Sequence, residues 1–116
     1  MRTRVTRSFR FEAAHQLPWH PGPCQNLHGH SYRLEVTVGG PVDERGVVVD
    51  FDELATLVQA EVIDRFDHRF LNDVLDNPTA ELIAADIWKR LEAVGLGITR
   101  IALWETPDSV AELFAE

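Results

Sequence analysis

The chain has 116 residues, 26% of them charged and 45% hydrophobic, and a formal net charge of −8. That is ordinary for a soluble globular protein and enough for a single domain over residues 1–116, able to bury roughly two-thirds of its unfolded surface. The acidic balance excludes a general nucleic-acid binder, since phosphate contacts need a basic surface, and no apolar run approaches the ~18 residues of a membrane span. Residues 1–10 are polar and alternating, unlike a signal or transit peptide. The only cysteine, Cys24, cannot make an intrachain disulfide, which fits a reducing cytoplasm. No repeat or low-complexity stretch is visible.

The first predicted element is a strand. Val5, Phe9, Phe11, Ala13 and His15 share one parity, against Thr6, Ser8, Arg10 and Glu12 on the other. Of 11 basic residues 10 are arginine, and Arg2, Arg4, Arg7 and Arg10 crowd this segment. They read as a solvated strand face rather than an anion site. The run Pro18-Trp19-His20-Pro21-Gly22-Pro23 excludes regular helix and stiffens the connection that follows. His20 within it reads as an exposed loop histidine.

A second strand covers residues 28–38. His28, His30, Tyr32, Leu34, Val36 and Val38 alternate with Gly29, Ser31, Arg33, Glu35 and Thr37, so both histidines project to the apolar side. If the two strands pair antiparallel, His15 at the end of one meets His28 and His30 at the start of the other. One histidine on an apolar face is usually a satisfied core residue. Three converging on one interior would each need a partner without a metal, and three imidazoles with an open position are the donor set of a catalytic zinc. Imidazole suits Zn, Cu, Fe and Ni alike, so zinc is the default. Cys24 lies four residues before His28.

Gly39-Gly40-Pro41 ends the second strand. After the apolar run Val47-Val48-Val49, Asp50 as N-cap with Glu53 three residues on forms a capping box, and Leu54, Leu57, Val58 and Val62 line one helical face. Asp67-His68 follows in a turn, where the carboxylate and imidazole can orient and polarise each other. A second helix opens at Asn77-Pro78, with proline at the first helical position. Ile83, Ile87, Leu91 and Val94 keep helical spacing, and Gly95 is the C-cap. Residues 98–105 read as a third strand and 109–115 as a weaker fourth, giving ββααββ. Glu105 shares the apolar parity of Ile101 and Leu103, so it is either at an exposed strand end or binding something.

Taken together, these residues resemble the 6-pyruvoyltetrahydropterin synthase family, and within it the bacterial 6-carboxy-5,6,7,8-tetrahydropterin synthases. The resemblance runs through Phe11-Glu12-Ala13-Ala14-His15, Cys24-x-x-x-His28-Gly29-His30, Val49-Asp50-Phe51, Asp67-His68-x-x-Leu71-Asn72, Pro78-Thr79-Ala80-Glu81 and Glu105-Thr106. Only three residues separate Cys24 from His28, as in the carboxy-forming branch; in the pyruvoyl-forming branch the cysteine typically lies further upstream. Two departures stand out: Phe66 where leucine commonly precedes the Asp-His pair, and an acidic C-terminal strand.

The resemblance implies an α+β T-fold (tunnelling fold), an antiparallel sheet with two helices on one face. Its subunits close a barrel as a trimer stacked into a hexamer, with active sites at subunit interfaces. It implies Zn²⁺ on His15, His28 and His30, Cys24 as the proton-shuttling group with Asp67 and His68 completing the relay, and Glu105 on the 2-amino and N3–H edge of a pterin. The substrate implied is 7,8-dihydroneopterin triphosphate, and the product 6-carboxytetrahydropterin, with acetaldehyde and triphosphate released, for queuosine or other 7-deazapurines. Two alternatives stand beside it: the sister reaction forming 6-pyruvoyltetrahydropterin, and a non-catalytic zinc protein with Cys24 as fourth ligand.

Overall fold

A computed structural model describes residues 2–115, so Met1 of the polar N-terminal stretch and the final Glu116 lie outside the described residues. Strand β1 (Thr3–His15) and strand β2 (His28–Gly40) form a long antiparallel pair in unbroken register, from Thr3 opposite Gly40 to His15 opposite His28. Strands β4 (Ile98–Thr106) and β5 (Ser109–Phe114) extend the sheet beyond β2, both antiparallel. The expected order is met with one addition. A two-residue strand β3 (Arg69–Phe70) pairs parallel with β1 at Ala13 and Ala14, so the sheet runs β3-β1-β2-β4-β5. Two residues are too few to show any periodicity, which is why β3 is invisible in the sequence.

The helices cover one face. Helix α1 (Phe51–Val58) runs on through a π-type turn (Gln59–Ile63) into a last helical turn (Asp64–Phe66). Asp50 caps it as expected, accepting from the N–H groups of Asp52 and Glu53 at 2.7 and 3.3 Å. The reciprocal half of the capping box is absent: the Glu53 carboxylate instead takes the Arg45 guanidinium at 2.9 Å.

Helix α2 (Ala80–Ala93) starts two residues later than Pro78 suggested. Thr79 is the N-cap, its hydroxyl accepting from Leu82 N–H at 3.2 Å, and a hydroxyl cap satisfies an orphan donor that proline could not. At the far end Gly95, at φ +93°, completes a Schellman turn, with Gly95 N–H on Glu92 and Leu96 N–H on Leu91. That turn swings Leu96 into the core and leaves Val94 exposed, correcting the expected apolar stripe at its last position.

The core lies between the helices and the sheet face carrying Phe11, Tyr32, Leu34, Val36, Ile101 and Leu103, all buried. Phe11 stacks on Tyr32, its register partner, at 4.9 Å, and on Phe66 at 5.8 Å. Phe66 is thus an aromatic core contact where a leucine is commonplace. The opposite sheet face is polar: Arg100 bridges Glu35 and Glu112, and Arg33 lies 3.9 Å over the Trp104 ring. Arg2, Arg4 and Arg10 are exposed, as expected of a solvated face. Arg7 departs from it by projecting to the helical side, where it donates to the Phe51 carbonyl at 2.8 Å.

Candidate metal centre

Strand alternation and register together build the histidine cluster. His15 ends β1 directly opposite His28, and His30 sits opposite Ala13, so all three rings point to the helical side at one end of the core. The ring centroids lie 4.5 to 5.0 Å apart. Nε2 of His15 is 2.9 Å from Nε2 of His28 and 3.2 Å from Nε2 of His30. His15 is only 1% exposed.

The other ring nitrogens decide what those Nε2 atoms are. Nδ1 of His15 lies 2.8 Å from the Pro78 carbonyl and Nδ1 of His28 lies 2.7 Å from the Asn26 carbonyl. A carbonyl only accepts, so each Nδ1 carries a proton, and a ring with no second proton presents a bare Nε2 lone pair. Two lone pairs facing each other at 2.9 Å repel unless a cation sits between them. Nitrogens bound to a tetrahedral ion at ~2.0–2.1 Å are about 3.3–3.4 Å apart, within a few tenths of the separations here. A carbonyl partner behind the ring, as His15 and His28 have, is also how metal-binding histidines are held. Burial lowers the pKa of His30, with His15 and His28 adding to the effect and Glu105 opposing it, so the neutral, ligating form is favoured. The donor set fits a transition metal.

Glu105 joins this group. Its carboxylate is 3.9 Å from His15 Nε2, and its side chain is 26% exposed. The pairing of β4 with β5 slips between Trp104 and Thr106, which leaves Glu105 unpaired at a bulge. Strand alternation from Ile101 and Leu103 puts this carboxylate on the histidines' side of the sheet, and the bulge leaves its backbone without a partner on β5. The Glu105 side chain is thus partly buried against the histidines rather than fully exposed at a strand end. Tyr32 lies beneath the cluster, its hydroxyl 3.5 Å from His15 Nδ1. Burial, with Glu105 nearby, holds its phenol protonated.

The remaining sequence-predicted residues lie elsewhere. Among the described residues, the atoms that could ligate one ion come from His15, His28 and His30 alone, and the partly exposed Cys24 is not among them. Cys24 sits in a short 3₁₀ turn (Pro23–Gln25) tied back by Leu17 N–H to its own carbonyl at 2.8 Å. Asp67 and His68 lie along the outer edge of β1. Asp67 accepts the Glu12 N–H at 2.9 Å and lies 3.0 Å from His68 Nδ1, so the pair does orient itself. His68 N–H donates to the Glu12 carbonyl at 2.6 Å, and its backbone is left-handed at φ 58°. That conformation is uncommon for a residue with a side chain and is typical of functional turns. The His68 ring is 79% exposed, beside an open cavity of ≈ 560 Å³ that Glu12, Gly29, His30 and Arg69 help to line.

Sequence reasoning missed Tyr32, which looked like one more apolar strand residue, and the Pro78 and Asn26 carbonyls, for which no side-chain signal exists.

An antiparallel sheet backed by two helices, with three inward histidines and a carboxylate at one end, defines an α+β protein with a candidate metal site. The family model for 6-pyruvoyl tetrahydropterin synthase matches residues 4–116. The chain is 41% identical to the 6-carboxy-5,6,7,8-tetrahydropterin synthase of Synechocystis sp., over 96% of this chain and 92% of that one. It is 37% identical to the dihydroneopterin monophosphate aldolase of Pyrococcus furiosus, over 97% and 98% of the two chains. The structure of Caenorhabditis elegans 6-pyruvoyl tetrahydropterin synthase superposes with a TM-score of 0.88 at 26% identity, over 100% of this chain and 97% of that one. The chain belongs to the 6-pyruvoyl tetrahydropterin synthase family and has its T-fold. It is an enzyme of that family, with a histidine group positioned to bind a metal.

Proposed function

We propose that the protein is a zinc-dependent lyase that converts 7,8-dihydroneopterin triphosphate and water to 6-carboxy-5,6,7,8-tetrahydropterin, releasing acetaldehyde and triphosphate. The observation that carries the reading is the convergence of three Nε2 atoms, with those of His28 and His30 at 2.9 and 3.2 Å from that of His15, faced by Glu105 at 3.9 Å. His15, His28 and His30 hold the zinc, which as a Lewis acid polarises side-chain oxygens and acidifies the neighbouring C–H bonds. Glu105 accepts the paired N–H donors of the pterin edge, fixing the ring beside the histidines. Cys24 moves the side-chain proton, as a thiolate in an electropositive site can. Asp67 holds the His68 ring so that His68 relays that proton.

Because His68 is exposed on the β1 edge, outside the cluster, we read the relay as serving a site shared between copies. This agrees with a barrel closed across subunits as a trimer or hexamer. The product then feeds 7-deazapurine formation, queuosine included.

A second reading is favoured by the Pyrococcus relative: aldol cleavage of a dihydroneopterin monophosphate. One assay separates the readings. Incubating zinc-loaded protein with dihydroneopterin triphosphate should yield the 6-carboxy product and acetaldehyde. Recovery of 6-pyruvoyltetrahydropterin would assign the sister reaction, and turnover of the monophosphate alone would assign the aldolase. No turnover of any pterin, with zinc retained, would leave a zinc protein without this chemistry.

A further inference from the structure

We infer that Asn72 is a positioning residue for the metal centre, its side-chain amide acting as a substitute peptide group that fixes the end of β1 from which His15 projects. The inference rests on reading His15, His28 and His30 as a metal site.

The segment after α1 zips along the free edge of β1. Glu12 exchanges hydrogen bonds with the Asp67 carboxylate and the His68 N–H, and Ala13 and Ala14 lie in register with Arg69 and Phe70. There the backbone leaves the edge, because Leu71, fully buried, turns into the core at the start of a 3₁₀ turn (Leu71–Asp73). The next free edge group of the first strand is Gln16, directly after His15. Asn72 supplies what the departing backbone cannot. Its Oδ1 accepts the Gln16 N–H at 2.9 Å and its Nδ2 donates to the Gln16 carbonyl at 2.8 Å. Only a primary amide offers a donor and an acceptor with peptide-like spacing; aspartate has acceptors alone, and alanine has neither.

Two functional groups depend on that clamp. His15 Nε2 must keep its 2.9 and 3.2 Å separations from the Nε2 atoms of His28 and His30, and its ring is aimed by the Cα position together with the Pro78 carbonyl. The Cys24 loop leaves from the same point, since Leu17 N–H, one residue on, holds the Cys24 carbonyl. Loosening Gln16 therefore displaces a buried ligand and a proton-transfer loop together, without removing any ligand.

The test is metal binding. Metal-free protein is titrated with Co²⁺ against a chromophoric chelator, recording the visible d–d bands. Asn72→Ala should raise the Co²⁺ Kd by about tenfold or more, the lower range for groups that orient ligands, and should shift the bands. Asn72→Asp, which keeps an acceptor but sets a carboxylate against the Gln16 carbonyl, should do likewise, and it carries the test if the alanine variant does not fold. Asp50→Ala, at the α1 cap, should lower the melting temperature while leaving Kd and bands unchanged.

Parental Kd and bands in both Asn72 variants, whatever their stability, would overturn the inference. If the parent binds no Co²⁺, the metal reading fails first. The clamp is then judged in the metal-free protein by NMR. Faster amide exchange at Gln16 and Leu17 with a shifted His15 Nδ1–H signal in Asn72→Ala supports it, and unchanged signals refute it.

Discussion

In the proposed function, Cys24 and Glu105 divide the work of the site between chemistry and binding. The Cys24 thiol lies outside the ligand group, so Cys24→Ala should keep its zinc and its melting temperature. Turnover should fall by about 10²–10⁴-fold, the usual worth of a positioned acid–base group. Metal analysis beside kcat checks this, and a variant that loses zinc and stability would make Cys24 a structural ligand instead. As the proposed anchor of the pterin edge, Glu105 would act in ground and transition states alike. Glu105→Ala should therefore weaken pterin binding by orders of magnitude, since charge-assisted hydrogen bonds are worth ~1.5–3 kcal/mol each. Zinc content should not change, because the three Nε2 donors and the carbonyl partners of His15 and His28 remain. Parental substrate affinity in Glu105→Ala would remove the residue from the site.

At the scale of elements, the segment from Asp67 to Asn72 does most to join the parts. The Glu12 N–H holds the Asp67 carboxyl below its usual value of 3.8; burial opposes it, and His68 adds to the lowering. A depressed carboxyl pKa stabilises the fold above the unfolded value, and that contribution is lost as pH falls through the folded one. Asp67→Asn keeps an acceptor for Glu12 but removes the charge. The parent should thus melt higher than the variant at neutral pH, and the gap should close in acid below the usual carboxylate range. A gap that stays constant through that range in a melting series would contradict the assignment.

The same segment shows where the sequence is legible. Period-two alternation exposed the histidine triad because β1 and β2 pair for their whole length without slipping. It could not expose β3, which is two residues long, nor the bulge at Glu105, where the register between β4 and β5 slips while the alternation along β4 continues. The helix caps were legible where a local side chain decides, as at Asp50. They were misplaced at Pro78, where the hydroxyl of Thr79 outcompetes the stereochemical preference of proline.

At the scale of the whole molecule, the sheet ends in two edges, β3 with β1 on one side and β5 on the other. The body is a slab of 51 × 27 × 23 Å, and β5 exposes Val110 and Phe114 at 50% and 61%. Open edges with apolar side chains invite pairing with another chain, and circular closure removes them. The proposed barrel should appear in light scattering as a trimer or hexamer, and a stable, active monomer would exclude it. Subunit mixing tests the shared site directly. If Cys24 and His68 serve one site from different copies, Cys24→Ala and His68→Ala are each inactive alone. After subunit exchange at equal concentrations, about a quarter of the sites in a symmetric ring hold one intact copy of each residue and regain activity. If both residues act within one chain, no exchange between the two variants restores a site, and the mixture stays as inactive as its parts.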